Sequence, residues 1–247
     1  MSAPVPLRLE IAANSLGSAL AAQEGGADRV ELCENLGEGG CTPSYGTLAL
    51  ARERLRIGLH VLVRPRAGDF LYAPHEAEAM LRDVELCVRL GCDGVVIGAL
   101  DADGNVDVAL CRRLVDAAAG LDVTFHRALD AARDPAQALE QAIALGCRRV
   151  LTSGARASAP EGVDTIAALV RQAAGRIEVM AGAGVTAGNI AALARSTGVR
   201  DLHASAKQVV RSAMRWRNPA LQGLEHDWQA SDAAVVAALR RALDGAN

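Results

Sequence analysis

The sequence predicts one α/β domain over residues 1–247, a closed (β/α)8 TIM barrel, and three observations lead there. Eight times a Val/Leu/Ile-rich run is followed by an Ala-rich helical stretch. The stretches between runs are long enough to cross back over a sheet and set up a parallel neighbour. The chain has the usual size of such a barrel, and no Pro/Ser-rich linker or shift of composition divides it.

The runs are residues 7–12, 29–33, 58–64, 93–98, 122–127, 148–152, 176–181 and 200–204, with helical patterns such as 15–25 and 76–90 between them. Alternation within a run sorts its side chains, because the outer face of a barrel strand packs on apolar helices and the other set points inward. In the first run Leu7, Leu9 and Ile11 oppose Arg8, Glu10 and Ala12. In the second, Val30 and Leu32 oppose Glu31 and Cys33; in the third, Leu59, Val61 and Val63 oppose His60, Leu62 and Arg64. In the fifth, Val123 and Phe125 oppose Thr124 and His126; in the seventh, Ile177 and Val179 oppose Glu178 and Met180. In the eighth, Leu202 and Ala204 oppose Asp201, His203 and Ser205, and the apolar runs at 93–98 and 148–152 complete the ring.

An interior with so many ionisable groups must satisfy them mutually, since a lone buried charge costs several kcal/mol. Position along the strand separates two sets. Arg8, Glu178 and Asp201 come early, at the end of a barrel that serves stability. Glu10, Glu31, Arg64, His126 and His203 come late, at the face where barrel enzymes hold their chemistry. Arg66, Arg127 and Lys207 lie just past their strands and add positive charge at that mouth. Taken singly, Glu10 or Glu31 with Arg64 reads equally as a buried ion pair, and either histidine as a core imidazole bonded to a backbone carbonyl.

Two late junctions are glycine-rich: Ala181-Gly182-Ala183-Gly184-Val185-Thr186, with Thr186 placed to cap the next helix, and Thr152-Ser153-Gly154. Such turns bring N–H groups close to a phosphate or carboxylate, and they also serve as plain tight turns. Residues 68–72 hold Phe70 and Tyr72, half of the chain's Phe and Tyr, and suit either a lid over the mouth or an anchor on the helix layer. Residues 209–229 extend the chain before a last helix at 232–243 and carry both tryptophans, Trp216 and Trp228, an association surface for a homodimer.

Composition narrows the function classes. Hydrophobic residues make up 51% and aromatic ones 2%, so a large core is built from Ala, Val and Leu. A net charge of −3 gives no general attraction to nucleic acid or anionic lipid. No apolar stretch reaches membrane-span length, and the N-terminal residues do not form a basic region followed by an apolar run, so a cytoplasmic protein is expected. The six cysteines include no Cys-x-x-Cys pair and read as free thiols; Cys87, Cys92, Cys111 and Cys147 fall on helices or ahead of strands as small buried residues.

Several strings together resemble the copper homeostasis protein CutC family: Gly-Gly-Ala-Asp-Arg-Val-Glu-Leu-Cys at 25–33, Glu-Gly-Gly-Cys-Thr-Pro-Ser at 38–44 and Val-Arg-Pro-Arg-Ala-Gly-Asp-Phe at 63–70. Thr-Phe-His-Arg-Ala at 124–128, Leu-Thr-Ser-Gly at 151–154, Gly-Ala-Gly-Val at 182–185 and His-Ala-Ser-Ala-Lys at 203–207 extend the likeness. The resemblance implies a cytosolic homodimeric barrel that binds copper. Cu(I) prefers thiolates, and inward Cys33 with Cys41 in the following loop is the expected pair. The family pattern has a further cysteine late in the first strand, where this chain has Ala12.

Two functions are therefore expected. One is copper(I) binding at Cys33 and Cys41. The other is an enzyme acting on a small anionic substrate that is sugar-like, phosphorylated or carboxylated. There Arg64 and Lys207 clamp the anion, with Arg66, Arg127, Ser153 and His203 around it; Gly182 and Gly184 present N–H donors, and Glu10, Glu31 and His126 transfer protons.

Overall fold

The computed structural model describes residues 6–220, 222 and 226–246. The N-terminal Met1–Val5 and part of the 209–229 extension lie outside the described residues. Eight parallel strands close into a barrel in sequence order: β1 (Arg8–Ala13), β2 (Arg29–Leu32), β3 (Gly58–Leu62), β4 (Gly94–Ile97), β5 (Asp122–Phe125), β6 (Arg149–Thr152), β7 (Glu178–Gly182) and β8 (Asp201–Ala204). Closure is made by β1 on β8, with Arg8 opposite Asp201 and Glu10 opposite His203. The helices are α1 (Leu16–Glu24), α2 (Tyr45–Arg54), α3 (Pro74–Leu90), α4 (Val108–Ala117), α5 (Ala128–Ala131), α6 (Pro135–Leu145), α7 (Val163–Ala173), α8 (Ile190–Thr197) and α9 (Ala233–Asp244).

Local chemistry starts these helices where the strands end. The side chains of Ser15, Ser44, Asp107, Asp134 and Asp232 accept backbone N–H groups at the starts of α1, α2, α4, α6 and α9, and Pro135 supplies a preset first helical residue. Two aspartates stitch strand entries together: Asp28 Oδ2 accepts from the Leu9 N–H at 2.7 Å, and Asp93 Oδ2 from the Leu59 N–H at 2.8 Å. Before α8, Thr186 does not cap the helix as expected. Asn189 Oδ1 accepts the Thr186 N–H at 2.9 Å, so a turn intervenes and the helix begins at Ile190.

The outward strand residues Leu9, Ile11, Val30, Leu32, Leu59, Val61, Val123, Phe125, Val179 and Leu202 are buried between sheet and helices, as alternation requires. After β8 the chain forms an antiparallel hairpin of β9 (Lys207–Val210) and β10 (Trp228–Ser231), then α9 returns against α1 and α8. Val209, Met214, Trp216 and Trp228 of this extension are exposed, Trp216 at 73%.

Candidate active site

The lower barrel is filled by charge. Arg149 on β6 is almost fully buried, and its guanidinium meets Asp122 at 3.1 Å, Glu178 at 3.6 Å and Asp201 at 3.7 Å, and Thr124 Oγ1 at 3.2 Å. Burial, with Glu178 beside it, raises the Asp201 carboxyl to about 6 against the pull of Arg29 and Arg149. His60 lies 3.4 Å from Arg149, and burial together with Arg29 and Arg149 drives its imidazole down to about 4, so it stays neutral. The charges of these groups balance as ion pairs, although Arg149 Nε, Glu178 Oε2 and Asp201 Oδ1 make no hydrogen bond among the described residues, which fits a stabilising role for the lower layers. Arg149 was invisible in the sequence because Arg148 and Arg149 read as one basic pair; only the register with Glu178 shows that the second points inward.

One layer higher, Glu10 is completely engaged. Arg29 Nε binds one carboxylate oxygen and His203 Nδ1 lies 2.7 Å from the other. Burial pushes this carboxyl up, but Arg29 and His203 outweigh it and hold Glu10 well below the usual carboxylate range. The expected pairing of Glu10 or Glu31 with Arg64 is therefore replaced by Glu10 with Arg29. Glu10 orients His203 and does not line the cavity above it.

Glu31 is the contrary case. Its carboxyl is buried, makes no hydrogen bond among the described residues, and leaves Oε2 without a partner. Burial, opposed by His203 and reinforced by Glu10, raises it to about 7. His203 responds oppositely: burial disfavours its charge, yet Glu31 and Glu10 raise its pKa above the ordinary imidazole value. A carboxyl that titrates near neutrality next to an imidazole is suited to proton exchange.

Above Glu31 and His203 opens a cavity of about 760 Å³ at the C-terminal mouth. Glu31, Arg64, His126, Arg127, His203 and Lys207 reach it, with Gly184 at the β7 turn and an apolar side formed by Val185, Val235 and Leu239. Arg64 is only 5% exposed, and no carboxylate lies within 4 Å of its guanidinium among the described residues. Instead it donates to the carbonyls of Glu38 (2.9 Å), Gly40 (2.7 Å) and Gly68 (2.7 Å), while Nε is left unpaired. Burying a cation with no carboxylate beside it costs several kcal/mol, and here three loop carbonyls offset part of that cost.

His126 is fixed from three sides. Its Nδ1 accepts the Ala128 N–H at 3.1 Å, Phe70 stacks at 4.9 Å, and Gly98 leaves the ring room. Burial, then Arg64, lowers its pKa to about 3, so the ring is neutral with its proton on Nε2, and Nε2 has no partner. Leaving such a donor unpaired costs about 1–3 kcal/mol. The 68–72 segment does both things expected of it: Phe70 covers the mouth between His126 and Arg64, while Tyr72 packs against the core under Arg66.

The remaining expected residues divide. Lys207, at the start of β9, is exposed at the rim. Arg127 lines the cavity, but its charge is taken by Asp130 at 2.8 Å and it donates to Ser153 Oγ at 2.7 Å. Ser153 itself is held by Asp130, which also accepts the N–H groups of Ser153 and Ala155, so Asp130 is an organising residue that the sequence reading passed over. Arg66 turns away to Glu76 and Asp69, outside the cavity. Gly182 is a packing position where a Cβ would lie 2.6 Å from a Leu151 methyl; Gly184 does line the cavity.

A closed parallel barrel with a cavity at the carboxyl ends of its strands defines a TIM-barrel protein. The chain belongs to the CutC family, whose model matches residues 7–208. A CutC family protein of Xanthomonas campestris pv. campestris (strain B100) is 60% identical over 238 residues, 96% of this chain and 99% of that protein. One from Bacteroides thetaiotaomicron is 52% identical over 85% of each. A crystal structure of a CutC from Streptococcus agalactiae, described as a copper homeostasis protein, superposes with a TM-score of 0.78 at 35% identity, over 81% of this chain and 98% of that one. A thiamine phosphate pyrophosphorylase from Pyrococcus furiosus, at 15% identity and a TM-score of 0.63, shares the fold.

The family's association with copper makes the thiols a direct question of fit. Cys33 is inward as expected but fully buried with Leu62, Val96 and Leu36, and does not line the cavity. Gly40 closes over it: a Cβ there would lie 2.6 Å from a Leu62 methyl and 3.6 Å from the Cys33 sulfur. Burial, with Glu31, pushes the Cys33 thiol far up, so it is protonated and not a thiolate. Cys41 faces Glu34 across a bridge, and the other four cysteines are buried away from the mouth. Donor atoms of Glu10, Glu31 and His203 do lie within 4.8 Å of one another. They are oxygen and nitrogen donors, and Glu10 is already saturated by Arg29 and His203. Neither set suits a soft Cu(I) ion.

Proposed function

We propose that this chain binds a small anionic metabolite at the C-terminal mouth and is an enzyme acting on it, with Glu31, beside His203, as a proton-exchanging group. The observation that carries the reading is Arg64, buried at the cavity without an acid. An anion seated there neutralises it, with Lys207 at the rim adding attraction. The cavity, about 760 Å³, suits a ligand of sugar-acid or sugar-phosphate size.

The test is calorimetry with oxalate, inorganic phosphate and glycerol 3-phosphate on the wild type, Arg64→Lys and Arg64→Met. Lysine keeps the positive charge and methionine removes it, so the contrast between them reports on charge. Binding retained in Arg64→Lys and weakened about tenfold or more in Arg64→Met is expected. Equal binding by the two variants, or none of the anions bound by the wild type, overturns the reading.

Copper(I) binding at Cys33 and Cys41 is the competing reading, favoured by the description of the Streptococcus agalactiae relative. A Cu(I) titration against a competing chelator decides it: chelator-resistant binding abolished by Cys33→Ser would establish copper as the ligand. No helix among the described residues is long and apolar enough to cross a membrane, which supports our placing the protein in the cytoplasm. Exposed Val209, Met214, Trp216 and Trp228 support a homodimer, and a monomer by sedimentation at micromolar concentration would exclude it.

A further inference from the structure

Two buried polar atoms at the mouth have no protein partner and opposite chemical character. On β2, Glu31 Oε2 can only accept or hold a proton; just past β5, His126 Nε2 can only donate one, because Nδ1 is occupied by the Ala128 N–H at 3.1 Å. The strands that carry them stand three apart around the ring of eight, and both side chains line the same cavity. Phe70, 4.9 Å from the His126 ring, lines the same cavity. Arg64 stands beside Phe70, 5.3 Å from its ring, ready for the anionic part of a ligand.

The other groups at the cavity do not offer covalent chemistry. Ser205 and Lys207 have no base hydrogen-bonded to their side chains among the described residues, and Cys33 is sealed beneath Gly40. With His203 tied to Glu10, what remains is a carboxyl base and a neutral imidazole donor on the lining of one cavity. That pairing removes a proton from carbon while a neighbouring oxygen takes up the charge, a division of labour in which the imidazole stays neutral.

Building on the anion-binding reading above, we propose that the site catalyses proton transfer at the carbon next to a carbonyl in a small anionic oxo acid or keto phosphate. Glu31 as carboxylate takes the proton from that carbon. The C–H electron pair becomes the carbon–carbon double bond, and the carbonyl π pair moves to oxygen, where the His126 Nε2–H hydrogen-bonds it. Glu31 returns the proton to the same carbon or, in a hydroxy-ketone, to its neighbour while the hydroxyl proton passes to the former carbonyl oxygen. The step is redox-neutral and consumes no co-reactant. The titration of Glu31 near 7 keeps both of its forms available at neutral pH, and His126, lowered to about 3, remains a neutral donor throughout that range.

The experiment uses the full chain with 2-oxobutyrate and dihydroxyacetone phosphate in D2O, following loss of the carbon-bound proton signals by NMR, with calorimetric binding of each compound and of oxalate alongside. Binding is expected, with exchange faster than in buffer. Glu31→Gln should still bind but lose exchange by about 10²-fold or more. His126→Phe should lose about 10²-fold, and His126→Gln, which keeps a side-chain N–H donor, should recover part of it. If a compound binds and no exchange above buffer occurs in either, or Glu31→Gln exchanges like the wild type, the inference fails and anion binding stands. If none of the three binds, both fall together. Nitrogen-15 NMR of His126 provides a readout independent of the variants' folding. An Nε2–H tautomer unchanged from pH 5 to 8 is expected; an Nδ1–H tautomer or a ring that titrates in that range overturns the inference.

Discussion

Replacing Glu31 by Gln should stabilise the protein at alkaline pH and do progressively less as the pH falls. An unfolded chain titrates its glutamates near 4.3, whereas burial lifts Glu31 in the folded state to about 7. Between those values the folded state holds the extra proton, so stability falls as pH rises and the loss is complete above about pH 7. The interval corresponds to about 4 kcal/mol at 1.4 kcal/mol per pH unit. The folded value already contains the attraction of Glu31 to His203, so this is also the gain expected of Gln at alkaline pH. In a domain of this size that is a rise in Tm of about 8–16 °C. The neutral imidazoles His60 and His126, lowered to about 4 and 3, act in the opposite sense: the unfolded state binds their protons first, so stability rises with pH up to about 6.5. The wild-type profile alone therefore conceals Glu31, and the measurement is the difference between wild type and variant in thermal melts at pH 4.5, 6 and 8.5. A difference constant across that range, or largest at pH 4.5, would refute the reasoning.

Other perturbations are equally definite. Arg149→Met strands Asp122, Glu178 and Asp201 around an apolar chain and should cost about 3–5 kcal/mol, seen as a lower urea midpoint with an unchanged m-value. Gly98→Ala places a Cβ 2.4 Å from His126 Cε1 and 2.9 Å from the Ala128 Cβ, so the ring must shift; about 1–3 kcal/mol of stability should be lost, together with the Nδ1 contact that sets its tautomer in NMR. Cys33→Ser buries a hydroxyl among Leu36, Leu62 and Val96 and should cost about 1–3 kcal/mol while oxalate affinity stays unchanged; in the wild type, Cys33 labelling by a thiol reagent should require unfolding, and rapid labelling of the native protein would contradict its burial.

Strand alternation made the barrel legible, since a helix layer outside demands apolar residues there and releases the other parity for Glu31, His60, Arg64, His126 and His203. It could not report depth. Glu10 and Glu31 lie on adjacent strands at late positions, yet Glu10 aligns with Arg29 and is locked, whereas Glu31 aligns with Ala12 on one side and the neutral His60 on the other. That stagger is a property of the closed sheet and is written in no single run. The direction of long side chains was hidden as well. Arg64 and Arg66 look alike along the chain, but one bends in to loop carbonyls at the mouth and the other outward to Glu76. Asp130 escaped notice because its partners, Arg127, Thr152 and Ser153, come from two successive βα units brought together only by the fold.

The last helix has a bearing on diversity within the family. Val235 and Leu239 of α9 form part of the cavity wall, yet they lie beyond residues 7–208, the stretch that the family pattern describes. Two proteins could thus keep every charged group of the mouth and still differ along the apolar side of the cavity.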